Sequence, residues 1–411
     1  MNEKLRRLLT PEGVRDLLPE LAGQKRELEK MIQASFSRWG YGEVSTPAFE
    51  YSANFVDEMK AELTDKVYRF LDERGRTLVL RPDFTLPLAR VVATHLSASP
   101  LPLRLCYGGD IYRYAHGQQG KQRVVTQAGV ELIGSGCAGA DAEVIALAVD
   151  VLQELGLVEF TFCLGHVGFL EGMLAAYEVA EAERDAIKFF FNSKDFVSLK
   201  TLVQSLALSE SAKEAILRVP GLRGGKEVLR EAAKLVPGGA ADEPLRLLAE
   251  IWEVLADYGA AKFITLDLGL VRMLDYYTGM VFEGYTGGLG YALCGGGRYD
   301  QLLGHFASQR PAVGFAINVD HLLKVLQRVR EMPALRELVF VGYGKAQRAA
   351  AFAEAARLRQ EGERVLVDVQ ERALRAAQAE GERLGAAKFS YFSQDCSRQC
   401  GRLERGAANG E

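Results

Sequence analysis

Several polar residues in this chain have the types and spacings that recognise a small charged molecule. Gln127 and Glu131 stand four residues apart in a stretch, 124–133, that alternates along its length. Val124, Thr126, Ala128, Val130 and Leu132 fall on one face of such a strand. Val125, Gln127, Gly129 and Glu131 fall on the other, because successive strand side chains point to opposite faces. An amide and a carboxylate are thereby presented together. Asp83 and Thr85, two apart in Leu80-Arg81-Pro82-Asp83-Phe84-Thr85, could also face one way. Arg113 and Arg272 supply planar forks of donors that suit a carboxylate or a phosphate. Tyr276 and Tyr277 add aromatic walls with polar tips.

Other chemistries are weakly represented. His95, His116, His166 and His305 show no metal-ligand spacing, and Cys396 and Cys400 have no nearby histidine, so no metal is expected. Gly295-Gly296-Gly297 lacks the Gly-Lys-Ser/Thr ending of a phosphate loop and reads as a strand turn with close backbone approach. Gly342-Tyr343-Gly344-Lys345 reads as a strand-to-helix turn. No cofactor is implied.

The elements that must position these residues follow from periodicity. Leu28, Met31, Ile32, Ser35, Phe36 and Trp39 fall at helical spacing, and Gly40 and Gly42 end that helix. Strands are expected at 44–45, 77–80, 103–107, 110–114, 124–133, 158–164, 263–268, 280–285 and 291–294, with a helix at 140–155. The two-sided pattern of 124–133 favours an antiparallel sheet. Residues from 169 to about 258 are rich in Ala, Leu, Glu and Lys, broken at Pro220-Gly221, Gly224-Gly225 and Pro237-Gly238-Gly239, and read as a helical insertion. A linker around Pro333 separates a last segment in which strands and helices alternate, at 338–341, 346–360, 365–368 and 388–392. From Ser393 the chain is polar and reads as a frayed tail.

The chain has 411 residues, enough for two domains plus an insertion. Its formal net charge of −4 gives no general attraction to nucleic acid. Residues 336–411 carry 13 Lys+Arg against 11 Asp+Glu, too even a balance for a nucleic-acid footprint. No apolar run approaches the ~20 residues of a membrane span, and residues 1–10 lack a signal-peptide core, so a cytoplasmic protein with reduced thiols is expected.

Three ordered stretches resemble the class II aminoacyl-tRNA synthetases, in the histidyl branch. Trp39-Gly40-Tyr41-Gly42-Glu43-Val44-Ser45-Thr46-Pro47 is similar to motif 1, which in that family builds the dimer interface. Asp110-Ile111-Tyr112-Arg113-Tyr114, the loop to Lys121, and 127–131 resemble motif 2, and 312–323 resembles motif 3. Arg272-Met273-Leu274-Asp275-Tyr276-Tyr277-Thr278-Gly279 resembles the histidine-specific segment. The resemblance implies an α+β fold: an antiparallel sheet flanked by helices, with a helical insertion at about 169–258 inside a domain at 1–330. A small anticodon-binding-like α/β domain would occupy 336–411. It further implies a histidine pocket, with Asp83, Thr85 and Gln127 on the amino group. Glu131 and Tyr276 would read the imidazole, Tyr277 would wall the site, and Arg272 would meet the carboxylate. Asp83 departs from the family's usual glutamate, and Met273 from its usual glycine.

The nucleotide half of the family pattern is depleted. His321 stands in the place of the motif 3 arginine, and Ala115 and His116 replace the glutamate and arginine that follow Arg113. Losing one preorganised charge from a phosphoryl site typically costs ~3 kcal/mol, and losing several should nearly abolish turnover. The pattern resembles the non-catalytic paralogues of these synthetases, the regulatory subunits of ATP phosphoribosyltransferase. That resemblance implies no catalysis by this chain and assembly with a short-form catalytic subunit. It also implies a homodimer within a larger hetero-oligomer, L-histidine as a possible effector, and no tRNA partner. The alternative is a divergent, active histidyl-tRNA synthetase, and a third reading is a paralogue with another ligand.

Overall fold

In the computed structural model, residues 8–56, 67–114, 122–271, 276–306, 308–329, 337–393 and 398–403 are described. Ala115, His116, Lys121, Arg272, Met273 and Cys396 lie outside them. The chain divides into two compact units, 25–331 with 1–18, and 332–411 with 19–24.

The first unit is organised by one strand pair. Leu103–Tyr112 runs antiparallel to Val124–Ile133 through ten consecutive register pairs, from Leu103 opposite Ile133 to Tyr112 opposite Val124. Two strands expected at 103–107 and 110–114 are thus one, carried through Gly109, whose φ of 151° suits glycine. Around this pair the sheet grows to nine strands. Their order is Gly42–Glu43, Leu103–Tyr112, Val124–Ile133, Ala312–Asn318, Cys294–Arg298, Met280–Thr286, Phe160–His166, Ile264–Asp267 and Arg223–Gly224. Neighbours pair antiparallel except Gly42–Glu43 on Leu103–Tyr112 and Phe160–His166 on Ile264–Asp267.

One face of this sheet is dry. The helix Ala138–Glu154 is buried on nearly every side, with Val144, Ile145, Leu147, Val151 and Leu152 fully enclosed. A helix that is apolar all round is a core helix rather than a surface one. Helix Pro19–Arg38 buries Leu28, Ile32 and Phe36, the stripe that periodicity predicts. The other face carries a second cluster built from Phe84, Leu88, Tyr107, Ile111, Tyr299 and Leu303, against which Tyr276 and Tyr277 pack. The polar residues singled out above sit beside that cluster.

Between 167 and 257 the chain is mostly helical. Val167–Ala176, Glu181–Ser193, Phe196–Ser205, Glu210–Arg218, Glu227–Ala233 and Asp242–Asp257 each bury a stripe, such as Ile187 with Phe191 and Leu248 with Ile251 and Leu255. Asp195 and Ser209 cap their helices by accepting the Ser198 and Ala212 amides at 3.0 and 3.2 Å. This segment also returns Arg223–Gly224 to the sheet edge beside Ile264–Asp267, a strand too short to announce itself by alternation.

Two expectations are corrected. Residues 295–297 are not a turn but the interior of Cys294–Arg298. A Cβ on Gly296 would lie 2.2 Å from the Gly314 carbonyl oxygen, so glycine is what lets the strands pair here. The stretch after Ser393 is not all frayed tail. Arg398–Arg402 adds an antiparallel strand to Lys388–Phe392, and Leu403 enters the core of that unit. The four-stranded sheet of the second unit runs Arg364–Val367, Leu338–Tyr343, Lys388–Phe392, Arg398–Arg402, with its first three strands parallel and apolar clusters on both faces. Among the described residues no helix is long and apolar enough to cross a membrane.

Candidate functional site

Glu131 is the centre of the site because of what its neighbours lack. It projects from the middle of the sheet and is 2% exposed. A Cβ on Gly314, directly opposite in register, would sit 1.7 Å from Glu131 Oε2 and 2.3 Å from the Val130 carbonyl oxygen. Gly129, two residues earlier on the same face, leaves space for the Tyr107 hydroxyl, which a Cβ would meet at 2.4 Å. The glycines therefore hollow the sheet surface so that a carboxyl and a phenol can lie across it.

The carboxyl is held from both sides. Thr85 Oγ1 donates to Glu131 Oε1 at 2.9 Å, and the Tyr299 hydroxyl donates to Oε2. Burial pushes the Glu131 pKa up to about 8, with the Tyr299 and Thr85 hydrogen bonds opposing and Asp83 adding to the rise. Asp83 is 7% exposed at the entry to helix Thr85–His95, where its Oδ1 accepts the Leu86 amide at 3.3 Å. Burial raises its pKa as well, against the pull of Arg113 and the Leu86 and Thr85 amides. Arg113 is aimed by its Nε, which donates to the Pro82 carbonyl at 2.9 Å, and by its own amide, which donates to the Arg123 carbonyl.

Aromatic rings close the sides. Tyr107 stacks on Phe84 with centroids 4.4 Å apart, and Tyr276 lies 4.9 Å from Tyr277 and 5.8 Å from Tyr299. Beneath them Arg298 Nε donates to Asp141 at 2.9 Å and Nη1 to Asp300 at 3.0 Å, tying the Tyr299 turn to the buried helix Ala138–Glu154. Burial, opposed by Arg298, pushes Asp141 up to about 6.

The result is a cavity of about 230 Å³ that Asp83, Thr85, Arg113, Gln127, Glu131, Tyr276 and Tyr277 all line. It is smaller than the ~300–1,000 Å³ of drug-sized ligand clefts and suits a molecule the size of an amino acid. Every candidate within the described residues is brought to it, while Arg272 lies outside them. Tyr107, Tyr299, Gly129 and Gly314 were not singled out from sequence as site residues. Gly129 carried a usable signal, a glycine on the polar face of an alternating strand beside Gln127 and Glu131. Tyr299 carried no such signal, because the carboxyl it meets lies on another strand.

This arrangement can receive a cation. Two buried carboxyls resist ionisation, so an entering ammonium or protonated ring would let them ionise with a partner in place. Behind the cavity-lining Asn318, the His321 amide donates to Asn318 Oδ1 at 2.9 Å, and its ring lies 4.0 Å from that of Tyr291. Burial holds the His321 pKa below the usual histidine value, a backbone hydrogen bond to Ala292 opposing, so near neutral pH the ring is uncharged. Among the described residues no group of three or more His, Cys, Asp or Glu is arranged to hold a metal ion.

Known proteins resemble this chain in sequence and in fold. The family profile described as histidyl-tRNA synthetase matches residues 13–322. A protein of Desulforamulus reducens named ATP phosphoribosyltransferase regulatory subunit is 39% identical over 93% of this chain and 95% of its own length. One of Moorella thermoacetica with the same name is 41% identical over 90% and 95%. A crystal structure from Bacillus halodurans is described as an ATP phosphoribosyltransferase regulatory subunit/histidyl-tRNA synthetase. It is 34% identical, covers 94% of this chain and 98% of its own, and superposes with a TM-score of 0.84. The chain belongs to the family of ATP phosphoribosyltransferase regulatory subunits, built on the class II histidyl-tRNA synthetase fold.

Proposed function

We propose that this chain is a non-catalytic subunit that activates a short-form ATP phosphoribosyltransferase and makes it sensitive to L-histidine. The observation that carries the reading is identity of 39–41% along nearly the whole chain to proteins of that name. Two features of the site support it. Every candidate for amino-acid binding within the described residues lines it, and behind its Asn318 wall an uncharged His321 stands where the resemblance puts a phosphate-anchoring arginine.

In this reading L-histidine enters the 230 Å³ cavity. Asp83, Thr85 and Gln127 take its ammonium, Glu131 and Tyr276 its imidazole, and Tyr277 covers one side. Arg272 meets its carboxylate, with Arg113 at the cavity wall. The subunit works in the cytoplasm as a homodimer through the 39–47 segment, inside a larger hetero-oligomer, and does not bind tRNA. For histidine to inhibit, it must bind two quaternary states with different affinity.

The test is phosphoribosyl-ATP formation from ATP and phosphoribosyl diphosphate by a purified short-form catalytic subunit. Adding this chain is expected to raise the rate and to introduce inhibition by histidine. A rate unchanged by the chain overturns the proposal. The second reading, an active synthetase, draws on the match to the histidyl-tRNA synthetase profile over residues 13–322. Histidine-dependent ATP–pyrophosphate exchange by this chain alone would establish it.

A further inference from the structure

A second cavity, of about 500 Å³, opens beside the first, between the sheet and the helical segment. Its place follows from strand register. Gly129 pairs with Ala316, Ala316 with Gly295, Gly295 with Glu283, and Glu283 with Cys163. Residues paired across strands share a face, so this row crosses from one cavity to the other. Gly295 lines the first, and its neighbour Glu283, one strand spacing or about 4.8 Å away, lines the second.

The lining is charged in a balanced way. Asp267 and Glu283 supply carboxylates, and Arg223 and Lys194 supply cations. Arg223 is drawn in by the thiol of buried Cys163, to which its Nη2 donates at 3.0 Å, and not by a tight ion pair. Its Nε stays 3.7 Å from Asp267 Oδ2, beyond hydrogen-bond length. Asp267 Oδ1 accepts the Gly269 amide at 3.1 Å, which fixes the carboxylate with its second oxygen toward the guanidinium. Lys194 ends helix Glu181–Ser193 in the left-handed region, φ 56°, with its ammonium 5.6 Å above the Tyr285 ring. A lysine with positive φ is uncommon and directs this side chain toward the sheet. Phe191, Phe196 and Leu270 complete an apolar wall.

We propose that this cavity binds a free α-amino acid with an apolar or aromatic side chain. A zwitterion meets both signs of charge in the lining at once, whereas a net cation or anion would leave the carboxylates or the cations of this half-exposed site without a counterpart. Its ammonium would lie between Asp267 and Glu283, its carboxylate between Arg223 and Lys194, and its side chain on the phenylalanines. The site is separate from the histidine cavity and does not depend on what fills that one.

Calorimetry on the full chain tests this with L-phenylalanine, L-leucine and L-histidine. Phenethylamine lacks the carboxylate and 3-phenylpropionate lacks the ammonium. L-Phenylalanine or L-leucine is expected to bind once per chain, and each phenyl analogue about tenfold or more weaker than L-phenylalanine, the effect of losing one charge-assisted contact set. Asp267→Asn should weaken amino-acid binding by about tenfold or more and leave Glu131-dependent L-histidine binding unchanged. Lys194→Met, at an exposed position, gives the same reading should Asp267→Asn fail to fold. The proposal is overturned if neither L-phenylalanine nor L-leucine binds at about 10 mM, roughly tenfold above the dissociation constant of a weak, ~1 mM site. It is equally overturned if the analogues bind as well as the amino acid, or if a folded variant binds unchanged.

Discussion

Replacing Glu131 with glutamine tests the geometry of the first cavity without assuming any ligand. Its folded pKa of about 8 stands against an ordinary value of 4.5, raised by burial. Between those two values the unfolded chain has released the proton while the folded chain keeps it. The folded state binds more protons there, so stability falls as pH rises, by about 1.4 kcal/mol per unit. From pH 5 to pH 8 the native protein loses on the order of 3–4 kcal/mol through this one group. Glutamine does not titrate. Its Oε1 still accepts from Thr85, and its amide nitrogen can donate to the Tyr299 oxygen, so the packing survives. Glu131→Gln should therefore gain stability relative to the native chain as pH rises. Amide exchange in the Val124–Ile133 strand, compared between the two proteins at each pH, isolates the unit concerned. The gap should widen by that 3–4 kcal/mol from pH 5 to pH 8. A gap that stays constant or narrows refutes the account of a buried carboxyl protonated at neutral pH.

Three further outcomes are expected. If L-histidine binds with one proton shared between its ring and Glu131, affinity should be flat between the ring's ordinary value of ~6.5 and about 8, and fall about tenfold per unit on either side. Calorimetric affinities that keep rising above that window would exclude the pairing. Gly314→Ala should destabilise the first unit by ~1–3 kcal/mol or more and abolish histidine binding, because its Cβ would meet Glu131 Oε2 at 1.7 Å. An unchanged urea midpoint would contradict the packing. Arg298→Met should cost ~3–5 kcal/mol by leaving Asp141 buried without its cation. Since burial already raises Asp141 to about 6, stability carried by its protonated form is lost as pH rises from 3.8 through 6. The variant's deficit should thus be smaller at pH 5 than at pH 8, which paired denaturation curves would show.

Residues of the first cavity were legible where a local rule placed them. Strand alternation put Gln127 and Glu131 on one face, whereas Asp83 and Thr85 were placed in the site by the family resemblance. What escaped was whatever depends on a partner from another strand. Nothing local says that Tyr299 reaches Glu131, which lies 168 residues away in the chain, or that Gly314 is small because a carboxyl lies over it. Edge strands escaped for a related reason. Arg398–Arg402 is exposed at every position, so no burial imposed an alternating pattern on it. Arg223–Gly224 has two residues and no room for a pattern. Residues 295–297 looked like a turn because glycine permits turns, whereas here it permits three strands to crowd together.

Glu131 inside the first cavity and His321 behind its Asn318 wall differ in how tightly the fold constrains them, and this bears on how recognition and reaction could part company. Glu131 is enclosed by Thr85, Tyr299 and two glycines on central strands, so most substitutions there would disturb the core as well as the pocket. His321 sits on the helix Val319–Val329, half-buried against the ring of Tyr291, a place where a change of side chain needs little rearrangement of the sheet. An imidazole held below its usual pKa carries no charge near neutral pH, and phosphate anchoring requires a charge that persists. A scaffold that exchanged arginine for histidine at that point would lose phosphoryl chemistry and keep its amino-acid pocket. The same asymmetry predicts the outcome of reversing the change. His321→Arg should leave histidine affinity nearly unaltered, because the residue is not among those lining the cavity. It should also fail to restore pyrophosphate exchange, because one cation does not rebuild a preorganised site. Exchange activity in His321→Arg would mean that the rest of the nucleotide site had been intact all along.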